Sequence, residues 1–270
     1  MSYNFSADYK SFSFKTKFGV QHKIKSFNSS LPLSEIIYDL VSINNVDYTF
    51  DFREYYLSYF PPFGEIKIGK QLHAWGDVDG NSPIDVINPI DYYYLFTDLD
   101  ETKIGRESIT LDLYFGLLKL GALVIPNHIT NNIPNNDPDF PIVLPASPQP
   151  YQMLEQSELQ KPVEFGGYLQ ASLSNMDWAA YYFSGYDRNF NLYGANVFLD
   201  DFDINSVTDT VFSYRQTEMV AISNVSFISD LTIRADFAYF KTHAGNQGIE
   251  SRPYAGRDPI SEYLNFDNLA

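Results

Sequence analysis

The stretch from Tyr48 to Gly76, YTFDFREYYLSYFPPFGEIKIGKQLHAWG, decides how this chain is read. It divides into two extended runs around Pro61-Pro62. In the second run Ile66, Ile68, Leu72 and Ala74 alternate with Lys67, Gly69, Gln71 and His73. A period of two puts the apolar groups on one face of a strand and the polar groups on the other. Such a strand separates an apolar phase from an aqueous one. The rest of the sequence has to say whether the apolar phase is a protein core or a lipid bilayer.

Outward from this hairpin the same alternation recurs. Phe12, Phe14, Thr16, Phe18 and Val20 interleave with Ser13, Lys15, Lys17 and Gly19. Ile109, Leu111, Leu113 and Phe115 oppose Thr110, Asp112 and Tyr114, and the return run carries Leu118, Leu120, Ala122 and Val124 on its apolar face. Two more pairs follow, VEFGGYLQASL with DWAAYYFSGY and YRQTEMVAISNVSF with LTIRADFAYF. Tight turns are predicted near Tyr9-Lys10 and near residues 62, 117, 174 and 229, the last four spaced 55, 57 and 55 residues apart.

Between the hairpins lie long Asp-, Asn- and Pro-rich connections, notably 76–107 and 126–163. Proline has no ladder donor, so these read as loops. The piece LPLSEIIYDLVSI reads as a short helix capped by Ser34 or as a loop crossing. The segment up to Phe212 reads as a further loop, and the residues after the last hairpin as a tail without a strand.

Five hairpins predict about ten strands in a single domain over residues 1–270. Short turns at one end and long loops at the other are the layout of an outer-membrane barrel, whereas a soluble sandwich mixes loop lengths at both ends. Strands of this length can cross the hydrocarbon layer. Lipid would also require closure, because an open sheet leaves edge amides unpaired in oil. The expected fold is therefore all-β: a transmembrane antiparallel up-and-down β-barrel. The N-terminus has no basic-then-apolar signal pattern, and NFDNLA is not a closing aromatic strand. The expectation is a fragment lacking the signal and the closing strands.

Composition excludes several alternatives. With no cysteine in 270 residues there is no disulfide framework and no thiolate chemistry. A net charge of −16 argues against nucleic acid as a partner and favours neutral or cationic small solutes. The 21 Tyr and 22 Phe suit a barrel with aromatic girdles, and no run of 18 apolar residues exists to form a spanning helix.

The residues from Arg53 to Pro134, with IKIGKQLHAWGDVDGNSPIDVINPIDYYYLF and LKLGALVIPNHITNNIP, resemble a family of uncharacterised porin-like outer-membrane β-barrel proteins of Gram-negative bacteria. That family carries a strand "iGkQ…WG.aDG" and then a loop "nPtD…P.DY". The resemblance implies a bacterial outer-membrane location with lipid around the wall. It leaves the solute open.

If the apolar faces meet lipid, the opposite faces line a lumen. Lys67, Gln71, His73, Asp112, Tyr114, Arg234 and Asp236 are then lumen or constriction candidates, with Arg53 added from a strand that is aromatic on both faces. Opposed Arg, Lys and Asp side chains can polarise a constriction, or simply brace the wall as salt bridges. Lys70, on the apolar side, is expected to snorkel. Asp77, Asp79, Asn81 and Asp85 supply hard oxygen ligands for calcium, but glycine falls at the fourth position of the run, not at the sixth as in an EF-hand. An Asx-type turn accounts for them as well. No cofactor is expected. The four histidines fall in no HExxH or serine-nucleophile motif, so no enzyme is expected. A barrel-embedded lipid hydrolase using His73, or a surface or soluble β protein binding glycans, is the alternative to a solute channel.

Overall fold

The computed structural model describes residues 2–24, 46–94, 102–134, 162–200, 203–243 and 262–265. Ten strands form one antiparallel sheet: β1 (Ser2–Tyr9), β2 (Phe12–Ile24), β3 (Val46–Tyr59), β4 (Gly64–Gln71), β5 (Arg106–Phe115), β6 (Leu118–Ile125), β7 (Glu164–Ser172), β8 (Met176–Tyr186), β11 (Gln216–Ile228) and β12 (Leu231–His243). Each pairs with its neighbour in sequence, except that β8 pairs directly with β11. The order is up-and-down, with β1 and β12 as its two ends.

All five expected turns are present. Lys10 and Ser229 take left-handed backbone at φ 53° and 54°, and Gly116 does so at 61°. Two-residue connections need this geometry to match strand twist. The long connections all leave from the opposite end.

Three expectations need correction. The segment up to Phe212 is not a plain loop: β9 (Asn191–Asp200) and β10 (Asp203–Ser213) form a hairpin there, outside the main sheet. The register slips between Ile204 and Ser206, between Val207 and Asp209, and between Val211 and Phe212. Each bulge resets which side chains share a face, so no run of alternation survives in the sequence. The tail is not strandless either, since β13 (Glu262–Asn265) pairs with β9. Four residues are too few to show a period. Finally, β4 stops at Gln71. The Leu72 amide donates to Glu54 Oε1 at 3.0 Å and the His73 amide to Asn88 Oδ1 at 3.1 Å, so side-chain acceptors replace the ladder. The helix-or-loop segment LPLSEIIYDLVSI lies outside the described residues.

The polarity of the sheet is inverted relative to a water-soluble protein. Along β5, Arg106 and Ser108 are buried while Ile109 is 52 % exposed. On β6 the exposed residues are Leu118, Leu120, Ala122 and Val124, the apolar face of the sequence pattern. Phe165, Leu169, Trp178, Tyr182, Val220, Ile222, Ile233, Phe237 and Tyr239 continue this outer apolar surface across β7, β8, β11 and β12. The inner face carries the polar groups, and onto it folds the chain after β4.

Candidate functional site

Residues 72–94 form a strap across the inner face. Trp75, Ile84 and Ile87 are buried against Leu123, Ile125, Phe183, Met219 and Ala221, which are inward residues of β6, β8 and β11. Burying a side chain of the size of Ile84 or Ile87 is worth roughly 1.5–3 kcal/mol. The sheet's only buried apolar cluster among the described residues is thus completed by the strap, apart from the small Tyr186–Tyr214 pair.

Polar contacts fix the strap at both ends. Asp236 of β12 accepts the Asp77 amide at 3.0 and 3.2 Å, the Val78 amide at 3.1 Å and the Ser82 hydroxyl at 2.5 Å. The approach is so close that a Cβ on Gly76, at φ +88°, would lie 2.6 Å from the Asp236 carboxylate and 2.1 Å from Ser82 Oγ. Only glycine fits there. Ser223 donates to Asp77 Oδ2 at 2.5 Å, Arg234 pairs with Asp79, and Lys103 pairs with Asp85.

The candidate cation loop is therefore shared out among different partners. Asp77, Asp79 and Asp85 each hold a separate group, Asn81 lies on the exposed rim, and no cluster of three metal-ligating side chains exists among the described residues. Turn contacts shape the segment instead, with the Asn81 amide donating to the Asp79 carbonyl and the Ile84 amide to Ser82 Oγ.

At the other end a buried charge cluster joins four segments. Glu164, the first residue of β7, pairs with Arg106 at 3.0 Å, with Arg188 at 2.7 Å and with His128 at 3.1 Å. Arg188 also donates to the strap carbonyls of Val86 at 3.2 Å and Ile87 at 2.9 Å. Arg106 donates to the Asn127 carbonyl as well. The His128 ring packs against Tyr186 and Tyr214, and burial lowers its pKa, the Glu164 contact opposing that shift. None of these four residues appears among the lumen candidates, because their positions share no spacing. The available hints are that Glu164 falls in phase with the inward residues Gly166, Tyr168 and Gln170, and Arg106 with Ser108, Thr110 and Asp112.

Of the expected lumen residues, Lys67, Gln71, His73 and Asp112 come together around a cavity of about 290 Å³ beneath the strap. Leu72 and Ala74 line it too, since the chain has left the sheet; they do not share the outer face with Ile66 and Ile68. Tyr114 is half exposed, with Lys119 Nζ 5.7 Å from its ring. Arg53 is buried at the far end with its guanidinium 4.9 Å from the Tyr94 ring. Arg234 and Asp236 clamp the strap. Lys70 extends toward the loop end of the sheet, where its ammonium donates to the Phe52 carbonyl at 2.6 Å.

No protein-family model matches the chain, and no curated protein matches it.

His73 is held in a wall network. Its Nε2 is 3.0 Å from Ser108 Oγ, which also receives the Gln71 amide at 3.0 Å, and Asn88 donates to the His73 carbonyl. Burial, with Arg106 and Lys67 nearby, lowers its pKa to about 4. The unfolded value is near 6.5, so the folded state binds fewer protons between these limits. The resulting stability is fully present above pH 6.5 and is lost as pH falls toward 4. It amounts to on the order of 3 kcal/mol at full shift. Unfolding free energy followed from pH 7 to pH 4 is expected to fall less steeply in His73→Gln than in the parent. Equal slopes would mean that the imidazole reaches water in the folded protein.

Proposed function

We propose that this chain forms the wall of an outer-membrane β-barrel and passes small solutes through a polar lumen narrowed by the strap. The observation that carries the reading is the inverted sheet. Its outer face presents Ile109, Leu120, Val124, Phe165, Val220 and Phe237, while Arg106, Ser108, Glu164 and Ser223 are buried on the inside. An apolar surface of this extent is unfavourable in water and matches the lipid-facing band of a membrane barrel. In that setting β1 and β12 would have to be paired, since lipid tolerates no open edge.

A strap folded inward against the wall makes a constriction. Neutral or weakly cationic solutes fit the chain's acidic balance. Reconstitution of the full-length protein in planar bilayers is expected to give discrete conductance steps; electrically silent, correctly inserted protein would overturn the pore. The contact between Ser108 and His73 supports a second reading, a barrel-embedded hydrolase, in which the imidazole activates the hydroxyl. Ester hydrolysis by the same preparation that disappears in Ser108→Ala would favour it over the pore. The buried position of Ser108 and its bond from Gln71 weigh toward a wall contact.

A further inference from the structure

Tyr168 occupies an unusual position on the inner wall. A Cβ built on Gly121 of the neighbouring strand would come within 2.1–2.7 Å of its ring atoms, so the ring rests flat where a side chain would otherwise stand. Its hydroxyl donates to Asp112 Oδ1 at 2.7 Å, which fixes the ring in plane. Lys119 Nζ lies 5.1 Å from its centroid, and the rings of Tyr181 and Trp75 are 6.0 and 6.1 Å away. This platform borders the cavity of about 290 Å³ together with Gln71, His73, Thr110 and Gln170.

The cations around the cavity are already matched. Lys119 pairs with Asp112 at 3.0 Å and Lys67 with Glu65 at 3.1 Å. Asp77 accepts the Ser223 hydroxyl at 2.5 Å, a neutral donor, and keeps its charge. Such a site offers no uncompensated cation to an anion. It does offer an aromatic face and a ring of amide, hydroxyl and charged hydrogen-bonding groups, in a volume suited to one small cyclic molecule. A sugar ring has the complementary surface, with apolar C–H groups on its face and hydroxyls at its edge.

We propose that this cavity is a binding subsite for a neutral polyhydroxylated ring, a monosaccharide unit, stacked on Tyr168. The inference rests on the pore reading for the solute's route, and it names the solute.

The full-length protein in detergent, carrying Trp178→Phe so that Trp75 is its sole tryptophan, would be titrated with D-glucose and maltose. Sodium glutamate and lysine hydrochloride serve as charged comparisons. Saturable fluorescence changes are expected with the sugars and not with the amino acids. Tyr168→Ala is expected to weaken sugar binding roughly fivefold, and Tyr168→Phe, which keeps the ring, by less. Gln170→Ala, which removes one edge group and leaves the platform intact, is expected to weaken it about twofold to threefold.

A flat sugar titration, preference for the charged compounds, or sugar affinity unchanged in folded Tyr168→Ala and Gln170→Ala would overturn the proposal. Bilayer conductance with no sugar binding would remove the subsite and leave the pore. Sugar binding by an electrically silent protein would remove the pore and leave the subsite.

Discussion

Glu164→Ala is expected to destabilise the protein by about 3–5 kcal/mol, the cost of breaking a buried ion pair by removing one partner. Among the described residues Glu164 is the only carboxylate in contact with Arg106 and Arg188, and its side chain is completely buried. Without it two guanidinium groups face each other with no counter-charge. Arg188 would keep its bonds to the Val86 and Ile87 carbonyls, and Arg106 its bond to the Asn127 carbonyl. These neutral acceptors satisfy donors without cancelling charge. Glu164→Gln keeps the shape and loses the charge, so an intermediate loss is expected. Urea unfolding in detergent, followed by the fluorescence of Trp75 in the adjoining apolar cluster, measures both. A loss under about 1 kcal/mol for the alanine variant would place the arginines in contact with water and make the cluster an ordinary exposed ion pair.

The consequence for architecture is that the loop end of the sheet is held by charge and the strap by apolar burial, with Arg188 touching both. Through Arg188, loss of Glu164 would loosen the 84–88 half of the strap as well as the β5–β7 corner. The other half hangs from Asp236 on a different strand.

What the sequence makes legible follows from this division. The alternation in β4 to β8 and in β11 to β12 is unbroken over most of each strand, so strand positions, turns and the assignment of Lys67, Gln71, His73 and Asp112 to the inner face can be read directly. Alternation cannot say where a strand stops when side chains supply the last acceptors, as Glu54 and Asn88 do for Leu72 and His73. Nor can it find β9 and β10, whose bulges shift the phase of the pattern. The site residues Arg106, His128, Glu164 and Arg188 are visible only once four segments have been brought together. Asp236 is legible as an inward residue but not as a clamp, because its partners lie more than 150 residues away. Long-range partners of this kind leave no local spacing to detect.

The second large effect is expected from Asp236→Ala. This carboxylate accepts two strap amides and the Ser82 hydroxyl, and hydrogen bonds to a charged acceptor contribute about 1.5–3 kcal/mol each when intact. Water would rehydrate the freed amides, which lie near the exposed rim, so a net loss of about 2–4 kcal/mol in strap docking is expected rather than the full sum. That energy is local. The sheet register of β11 and β12 does not depend on it, and global unfolding should shift much less than in Glu164→Ala. Residues 76–82 should become accessible to protease in the variant while the ten-stranded sheet stays resistant. In the pore reading, the same variant should show higher and noisier single-channel conductance, since the part of the strap that crosses the inner face toward β12 is released. Ile84, Ile87 and Arg188 still hold the remainder, so the double variant Asp236→Ala/Arg188→Ala should widen the channel further. If the single variant exposes the strap to protease but leaves conductance unchanged, the segment 76–82 does not set the constriction, and the narrowing would have to come from residues 84–94 packed under Arg188.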